Sequence, residues 1–460
     1  MTPHIVILGA GISGLATAWY LKRKYGSHIS LTLIEKEHRV GGWIQTLRDD
    51  SFLFELGPRS IRSGKNSRAT LELIEELKLQ EYVLPPHQDA KKRFIFDGTQ
   101  LKPLPVNIWE VPTNKMMKGL LHALWCDWRA PKKSEEDESI YSFFSRRLGR
   151  KWTEDLIDPF VSGIYAGNIH RLSLKSSFPR FDEWEQKYGS LLLGALMNQF
   201  NKKSFSPSPS AFVQKMSQIP LFSFLEGMET LPLALEKNLK EHLMLRSCAE
   251  QIKFTPDKVI IKLKEGNQIT ADHLISTLPL PHLSPLLIEH PLFGEKLKKL
   301  PYTSVFVVNV GFNQSLLPFK GFGYLVASRF NLKGIGCVWD SALFPAQNKG
   351  EQTRLTCMIG GANHRDIEKI SDEEVIEHTL YMLRHQMTIK SDPQIIQIKK
   401  AYQAIPQFEI GYSSWKEEIQ TTMQHLSPRL SILGSGITGV SINECIAEAQ
   451  KFALSKNYTK

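Results

Sequence analysis

An α/β fold, with one layer a parallel sheet shaped to bind a dinucleotide, is predicted by three features of the 460-residue sequence. First, residues 5–8 (Ile-Val-Ile-Leu) form an apolar, β-branched run that leads directly into Gly9-Ala10-Gly11-Ile12-Ser13-Gly14. Second, a helical pattern through Leu15, Ala18, Trp19 and Leu21 is followed by another apolar stretch, residues 30–34, ending on Glu35. Third, residues 430–433 and Gly434-Ser435-Gly436-Ile437-Thr438-Gly439 repeat the sequence of strand, glycine turn and helix start.

Each element has a physical reason. A continuous apolar run suits a parallel strand buried on both faces. Gly9 permits the tight turn, Gly11 lets backbone approach a pyrophosphate, and Gly14 lets the helix pack on the strand. Ala10, Ile12 and Ser13 supply the intervening N–H groups at the positive end of the helix. Glu35, about 20 residues on, can accept hydrogen bonds from a ribose hydroxyl. The bare motif does not separate NAD from FAD, and a glycine turn without a ligand is the plain alternative. Arg39-Val40-Gly41-Gly42 follows at once, and its paired glycines leave room for phosphates or a large ring system. Near the C-terminal end, Gly439-Val440-Ser441-Ile442 opens a helix through about residue 454. Too few residues follow to complete another βαβ unit. The chain is therefore expected to return to the first domain and aim a second helix N-terminus at the same ligand, where its dipole would stabilise negative charge.

Composition narrows the classes. Apolar residues make up 42% and charged residues 23%, which excludes wholesale disorder. Lys+Arg outnumber Asp+Glu by 57 to 47, a net charge of +10 that favours anionic partners. No nucleic-acid module accompanies that charge. No apolar run approaches the roughly 18 residues needed to span a bilayer, and no secretory signal is read at the start. Cys126, Cys248, Cys337, Cys357 and Cys445 are scattered, with no CxxC and no metal-ligand spacing, so neither a disulfide framework nor a metal site is expected. A reducing, cytoplasmic compartment fits.

The order GxGxxG, acid, RxGG resembles the amine-oxidase-like superfamily of FAD enzymes. Further blocks are more specific. Phe54-Glu55-Leu56-Gly57-Pro58-Arg59-Ser60, Lys92-Arg93-Phe94-Ile95-Phe96 and Ser162-Gly163-Ile164-Tyr165-Ala166-Gly167-Asn168 resemble segments of the protoporphyrinogen oxidase family, the oxygen-dependent flavoenzymes of haem synthesis. Gly321-Phe322-Gly323-Tyr324-Leu325-Val326, Asp340-Ser341-Ala342-Leu343-Phe344-Pro345 and Ala404-Ile405-Pro406-Gln407 continue the match in order. Two departures, Tyr412 where many relatives have His and Met358 where some have Phe, bear on substrate fit rather than reaction type.

The resemblance implies FAD as cofactor, contacted by Gly9 to Gly14, Glu35, Arg39, Gly41, Gly42, Gly57, Pro58, Arg59, Ser60, Gly439, Val440, Ser441 and Ile442. Ala249 stands nearest to a family valine that meets adenine through its backbone. Arg93 matches the arginine proposed to pair with a substrate propionate, and a guanidinium fork suits a carboxylate. Leu325, Ile335 and Met358 match positions that sandwich the tetrapyrrole, and Ala166 and Gly167 would face it by their backbone. The implied reaction removes six hydrogens from a porphyrinogen in three two-electron steps, with oxygen as acceptor and no evident side-chain general base. Protoporphyrinogen IX and coproporphyrinogen III compete as substrate. A flavin amine oxidase or carotenoid desaturase, and a non-catalytic nucleotide-binding membrane adaptor, are the rival readings.

The implied organisation is interleaved. Residues 1–85, 222–285 and 425–460 form a Rossmann-like FAD-binding domain. Residues 86–103, 204–221 and 286–424 form an α+β substrate domain with strands at 305–310 and 355–359 and a helix at 372–386. Residues 104–203 form a helical membrane-binding region. There Met116, Met117, Leu120, Leu121, Leu124, Trp125 and Trp128 mix with Lys115, Lys118, His122 and Arg129, a pattern that suits either a membrane interface or an amphipathic core helix. Attachment would be peripheral, on the inner face of the cell membrane, and the family resemblance admits a homodimer. The charged stretch 132–138 reads as a solvated loop.

Overall fold

The computed structural model describes residues 2–64, 67–133, 137–200 and 210–458. The expected boundary at 203/204 and residues 134–136 of the charged loop lie outside them.

β1 (His4–Leu8), α1 (Ile12–Tyr25) and β2 (Ser30–Ile34) form the expected βαβ unit. β1 and β2 run parallel in the register Ile5↔Leu31 and Ile7↔Leu33. The five-stranded sheet is parallel throughout and ordered Leu243–Met244, β2, β1, His273–Ser276, Leu430–Ile432. Distant parts of the chain thus meet in one layer. Ile5, Val6 and Ile7 are fully buried, each such side chain contributing about 1.5–3 kcal/mol. α1 lies against the closing helix Ile442–Ser455, and both pack into the same core through Leu15, Ala18, Ile446 and Ala449. Val259–Leu263 joins a separate antiparallel sheet with Ala249–Phe254 and Gln268–Ala271. Its alternating burial shows why: Val259, Ile261 and Leu263 face the core, while Ile260 and Lys262 do not.

A seven-stranded mixed sheet makes the second body. Its order is Ile395–Pro406, Tyr302–Phe312, Thr353–Gly360, Gly334–Val338, Gly323–Val326, Arg93–Phe96, Leu101–Pro103. Arg93–Phe96 pairs parallel with Gly323–Val326 although more than two hundred residues separate them. One face carries Phe94, Tyr324, Cys337, Cys357 and Val308 and is sealed by Val375, Met382 and Leu383. The covering helix is α-helical over Asp372–Tyr381 and continues as a wider π turn over Met382–Gln386. The opposite face looks toward the Glu55 segment and the helix ending at Ala166. Helices from Leu120–Arg129 to Leu191–Phe200 form the third body, and no helix among the described residues is long and apolar enough to cross a membrane.

Candidate active site

The glycine loop joins the end of β1 to α1. Gly9 N–H donates to Ile34 O at 2.8 Å, tying the turn to β2. A Cβ on Gly14 would lie 1.9 Å from the Gly9 carbonyl oxygen, so only hydrogen lets α1 sit this close. Gly11 begins α1 with no side chain capping its N–H groups and no acid in its first turn. Gly41 bridges to Gly11 and donates to Ala10 O at 2.8 Å, while a Cβ on Gly42 would come within 3.2 Å of Gly11 Cα. The two glycine segments form a backbone trough at an open helix N-terminus, an arrangement that accepts phosphates. Ser13 is buried and Ile12 packs into the core behind the trough.

The Glu35 carboxylate receives the N–H groups of Ala10 at 2.8 Å and Glu37 at 3.0 Å. Two bonds leave lone pairs for a ribose hydroxyl. Arg39 turns onto its own loop and donates to the carbonyls of Val40, Gly42 and Ile44, so its side chain shapes the trough. Arg246 and Ser247 donate to Glu37 O and Glu35 O, both at 2.9 Å, which sets the start of the Ala249 strand on the Glu35 side.

The C-terminal return reaches the same place. A Cβ on Gly434 would stand 3.8 Å from Ser13 Oγ. Gly439 and Val440 lead into Ser441, which caps the helix Ile442–Ser455 reciprocally with Glu444. Glu444 also sits in the first turn, where its charge opposes the positive helix end. The closing helix therefore offers a weaker field than α1, a detail the glycine pattern alone did not reveal.

On the facing sheet, register decides which side chains share the cleft. Ile95, Leu325, Gly336, Met358, Val307 and Lys399 pair directly across six strands and so lie on one face. Two residues along, Arg93, Gly323, Val338, Thr356, Asn309 and Gln397 make the next row of that face. A β-bulge between Gly334 and Gly336 adds Ile335 as an extra residue and turns it into the cleft, where it packs with Ala166, Val305 and Met358. Leu325 lies under Gly163, whose Cβ would meet it at 2.7 Å. Ala166 O accepts the N–H of Ala362 at 2.7 Å, and a Cβ on Gly167 would strike Leu172 and Gln407. Arg93 opens its strand on the same face, exposed, with its guanidinium 5.4 Å from the Phe322 ring centre. Burial of its stem and the nearby Arg62 charge hold its pKa below the ordinary arginine value.

A buried polar chain links the two bodies. A Cβ on Gly57 would lie 1.9 Å from Trp43 O, and half-buried Gly57, Pro58 and Ser60 thread between the layers. Arg59 stands 3.9 Å from Asp340, yet its buried Nη1 has no hydrogen-bond acceptor. Thr356 Oγ1 lies 2.6 Å from Asp340 and 2.7 Å from Asn309 Oδ1, and Asn309 donates to Glu55 O at 2.9 Å. Burial pushes the Glu55 carboxyl up to about 7. The Met228 N–H, the Thr46 hydroxyl and Arg59 oppose that rise, while Asp340 adds to it. Sequence reasoning missed Asn309 and Thr356 as members of this chain, because their pairing and its docking on Glu55, 254 residues away, exist only in the folded chain. Arg62, three residues after Arg59 in one segment, was also passed over.

The sequence matches the flavin containing amine oxidoreductases over residues 12–426. The chain belongs to that family. A protoporphyrinogen oxidase of Bos taurus is 32% identical over 470 residues, covering 98% of this chain and 97% of the relative. A coproporphyrinogen III oxidase of Bacillus subtilis is 29% identical over 472 residues, covering 99% and 98%. A crystal structure of a protein from Exiguobacterium sp. 255-15 superimposes with a TM-score of 0.84 at 25% identity, covering 99% of this chain and 98% of that one. The chain is an FAD-dependent oxidoreductase with the amine-oxidase-like fold. Its own geometry fits that cofactor: an uncapped helix end, a glycine trough that a Cβ on Gly14, Gly41 or Gly42 would crowd, a carboxylate with lone pairs to spare beside it, and a buried arginine donor without an acceptor among the described residues.

Proposed function

We propose that the protein oxidises protoporphyrinogen IX to protoporphyrin IX in haem synthesis, removing six hydrogens in three two-electron steps with molecular oxygen as acceptor. The observation that carries this reading is the cleft face of the seven-stranded sheet. It sets Arg93, an arginine with no carboxylate partner among the described residues, on the same face as apolar Leu325 and Met358, with bulged Ile335 packed against Ala166. A largely apolar macrocycle with carboxylate arms suits that surface. The names of the relatives support the same substrate class.

In this reading the glycine trough and Glu35 hold the nucleotide, with Ala249, Pro58, Ser60, Val440 and Ile442 lining its path. When bound, FAD supplies the two-electron acceptor. Leu325, Ile335 and Met358 exclude water from the reacting carbon and fix the ring plane, so orientation supplies much of the rate. Arg93 anchors a propionate and moves no proton.

The test is to purify the protein, record bound flavin and follow oxygen-dependent porphyrin fluorescence from each porphyrinogen. Absence of turnover on both overturns the proposal. Arg93→Ala should raise KM about tenfold or more, the worth of a charge-assisted hydrogen bond, and lower kcat less. The opposite split in steady-state kinetics would remove the anchoring role. Coproporphyrinogen III is the second reading, favoured by the Bacillus subtilis relative and the net charge of +10. The ratio of kcat/KM on the two substrates decides between them.

Peripheral membrane attachment, on the cytoplasmic side, is part of the same reading. Leu121, Trp125 and Trp128 are 83%, 50% and 71% exposed on one stripe of Leu120–Arg129, while Ala123 and Asp127 on the other side are buried. Leu192, Leu193, Leu196 and Met197 extend exposed apolar surface on the contacting helix. Apolar surface beside Lys115, Lys118 and Arg129 suits an anionic bilayer. Replacing Trp125 and Trp128 together with Ser should release the protein from sedimenting phosphatidylglycerol vesicles. Undiminished sedimentation would discard the attachment.

A further inference from the structure

Arg62 ends the short strand Ile61–Arg62 and pairs with Leu221. Its carbonyl accepts from Asn443 Nδ2 at 2.8 Å, and Asn443 Oδ1 accepts from the Thr70 hydroxyl at 2.7 Å. The backbone is thus pinned where the closing helix begins, while the side chain is exposed. The guanidinium stands 5.9 Å from the ring centre of Phe160, on the helix Asp158–Tyr165 that ends at Ala166. That helix also sets Gly163 over Leu325, in the sheet face whose next row holds Arg93, and the Arg62 charge helps to hold the Arg93 pKa down.

Two arginines therefore border the same helix and sheet face, each resting on an aromatic ring, and neither has a carboxylate partner among the described residues. Like charges at close range repel, and a group of opposite sign between them relieves that cost. Neighbouring cations do not share this situation. Arg59 faces Asp340, Arg39 is bound to its own loop, and Lys399 reaches Gln45 Oε1 at 3.4 Å.

We propose that Arg62 is the second half of a two-point clamp, in which Arg62 and Arg93 each take one of two carboxylates on the same ligand. The proposal rests on the porphyrinogen reading above and deepens it, because protoporphyrinogen IX carries two propionates. One anchored arm leaves the macrocycle free to swivel about that arm. Two anchored arms fix its rotation and so choose which ring carbon faces the flavin.

The test measures binding apart from turnover. Protoporphyrin IX and its dimethyl ester are titrated into the FAD-loaded protein, with quenching of tryptophan fluorescence as readout, for the unaltered chain, Arg62→Ala, Arg62→Lys and Arg93→Ala. Arg62→Ala should weaken the diacid about tenfold or more, shift the diester less than twofold, and keep its flavin absorbance. Arg62→Lys should recover part of the loss. Equal weakening of diacid and diester, loss of flavin, or no effect on the diacid would each overturn the clamp. Diacid-specific loss in a protein that oxidises no porphyrinogen would uphold the clamp and reject the reaction, so the two failures are separable.

Discussion

Replacing Gly14 with Ala is expected to strip the protein of FAD. The new methyl group would land 1.9 Å from the Gly9 carbonyl oxygen and 2.9 Å from Thr277 Oγ1. The first of these is backbone, which cannot rotate away, so α1 must back off β1. Such overpacking costs about 1–3 kcal/mol, sometimes more, and here the displaced part is the helix end that faces the phosphates. The purified variant should show a flavin-to-protein absorbance ratio at most about a tenth of the parent's, each 1.4 kcal/mol being tenfold, together with a lower melting temperature. Full flavin content at an unchanged melting temperature would mean that the loop does not hold the nucleotide.

Arg147→Ala is expected to be the most destabilising single change in the helical body. The Arg147 side chain is fully buried and donates to Asp127 Oδ1 at 2.7 Å, through Nε to Glu185 Oε1 at 2.8 Å, and to Gly189 O at 3.1 Å. Its removal leaves buried Asp127 without a cation and Glu185 with Arg146 alone, a loss of about 3–5 kcal/mol. The pH dependence has a definite sign. Burial alone would raise both acids. Hydrogen bonds from Ser190, Arg147 and the Leu192 N–H hold Asp127 below its ordinary value, and Arg146 and Arg147 do the same for Glu185. Groups depressed in this way stabilise the fold above the unfolded carboxylate range near pH 4, and that contribution fades as pH falls through the lower folded values. In Arg147→Ala the carboxylates lose this support and protonate more readily. The gap between parent and variant should therefore be widest near pH 7 and narrow as the pH falls below about 4 in thermal melts. A constant gap would show that packing, not charge, sets the loss.

The structure explains which parts of this architecture were legible in the residues. The βαβ unit was readable because a doubly buried parallel strand must be apolar throughout and a close-packed turn must be glycine. Both constraints act within thirty residues. The C-terminal return was readable for the same reason, but its capping by Glu444 is a local acid–serine exchange that offsets the field expected there. Ile335 shows a limit of pattern reading. Simple alternation would place it opposite Gly336, and only the bulge brings it beside Met358 and Ala166. The chain from Glu55 through Asn309 and Thr356 to Asp340 was hidden more deeply, because it needs the pairing of Asn309 with Thr356 and the docking of that sheet on Glu55, 254 residues away in sequence. Arg62 was hidden by context. A lone basic residue reads as surface until the fold supplies a neighbouring cation and no acid.

One feature of the sheet also governs how the molecule is made. Its middle strands come from residues 4–8 and 273–276, and its edge from residues 430–432. On the ribosome, at ~5–20 residues per second, the first strand waits tens of seconds for its final neighbour to emerge. Until then one edge of β1 has no strand beside it, and His273–Ser276 waits in turn for residues 430–432.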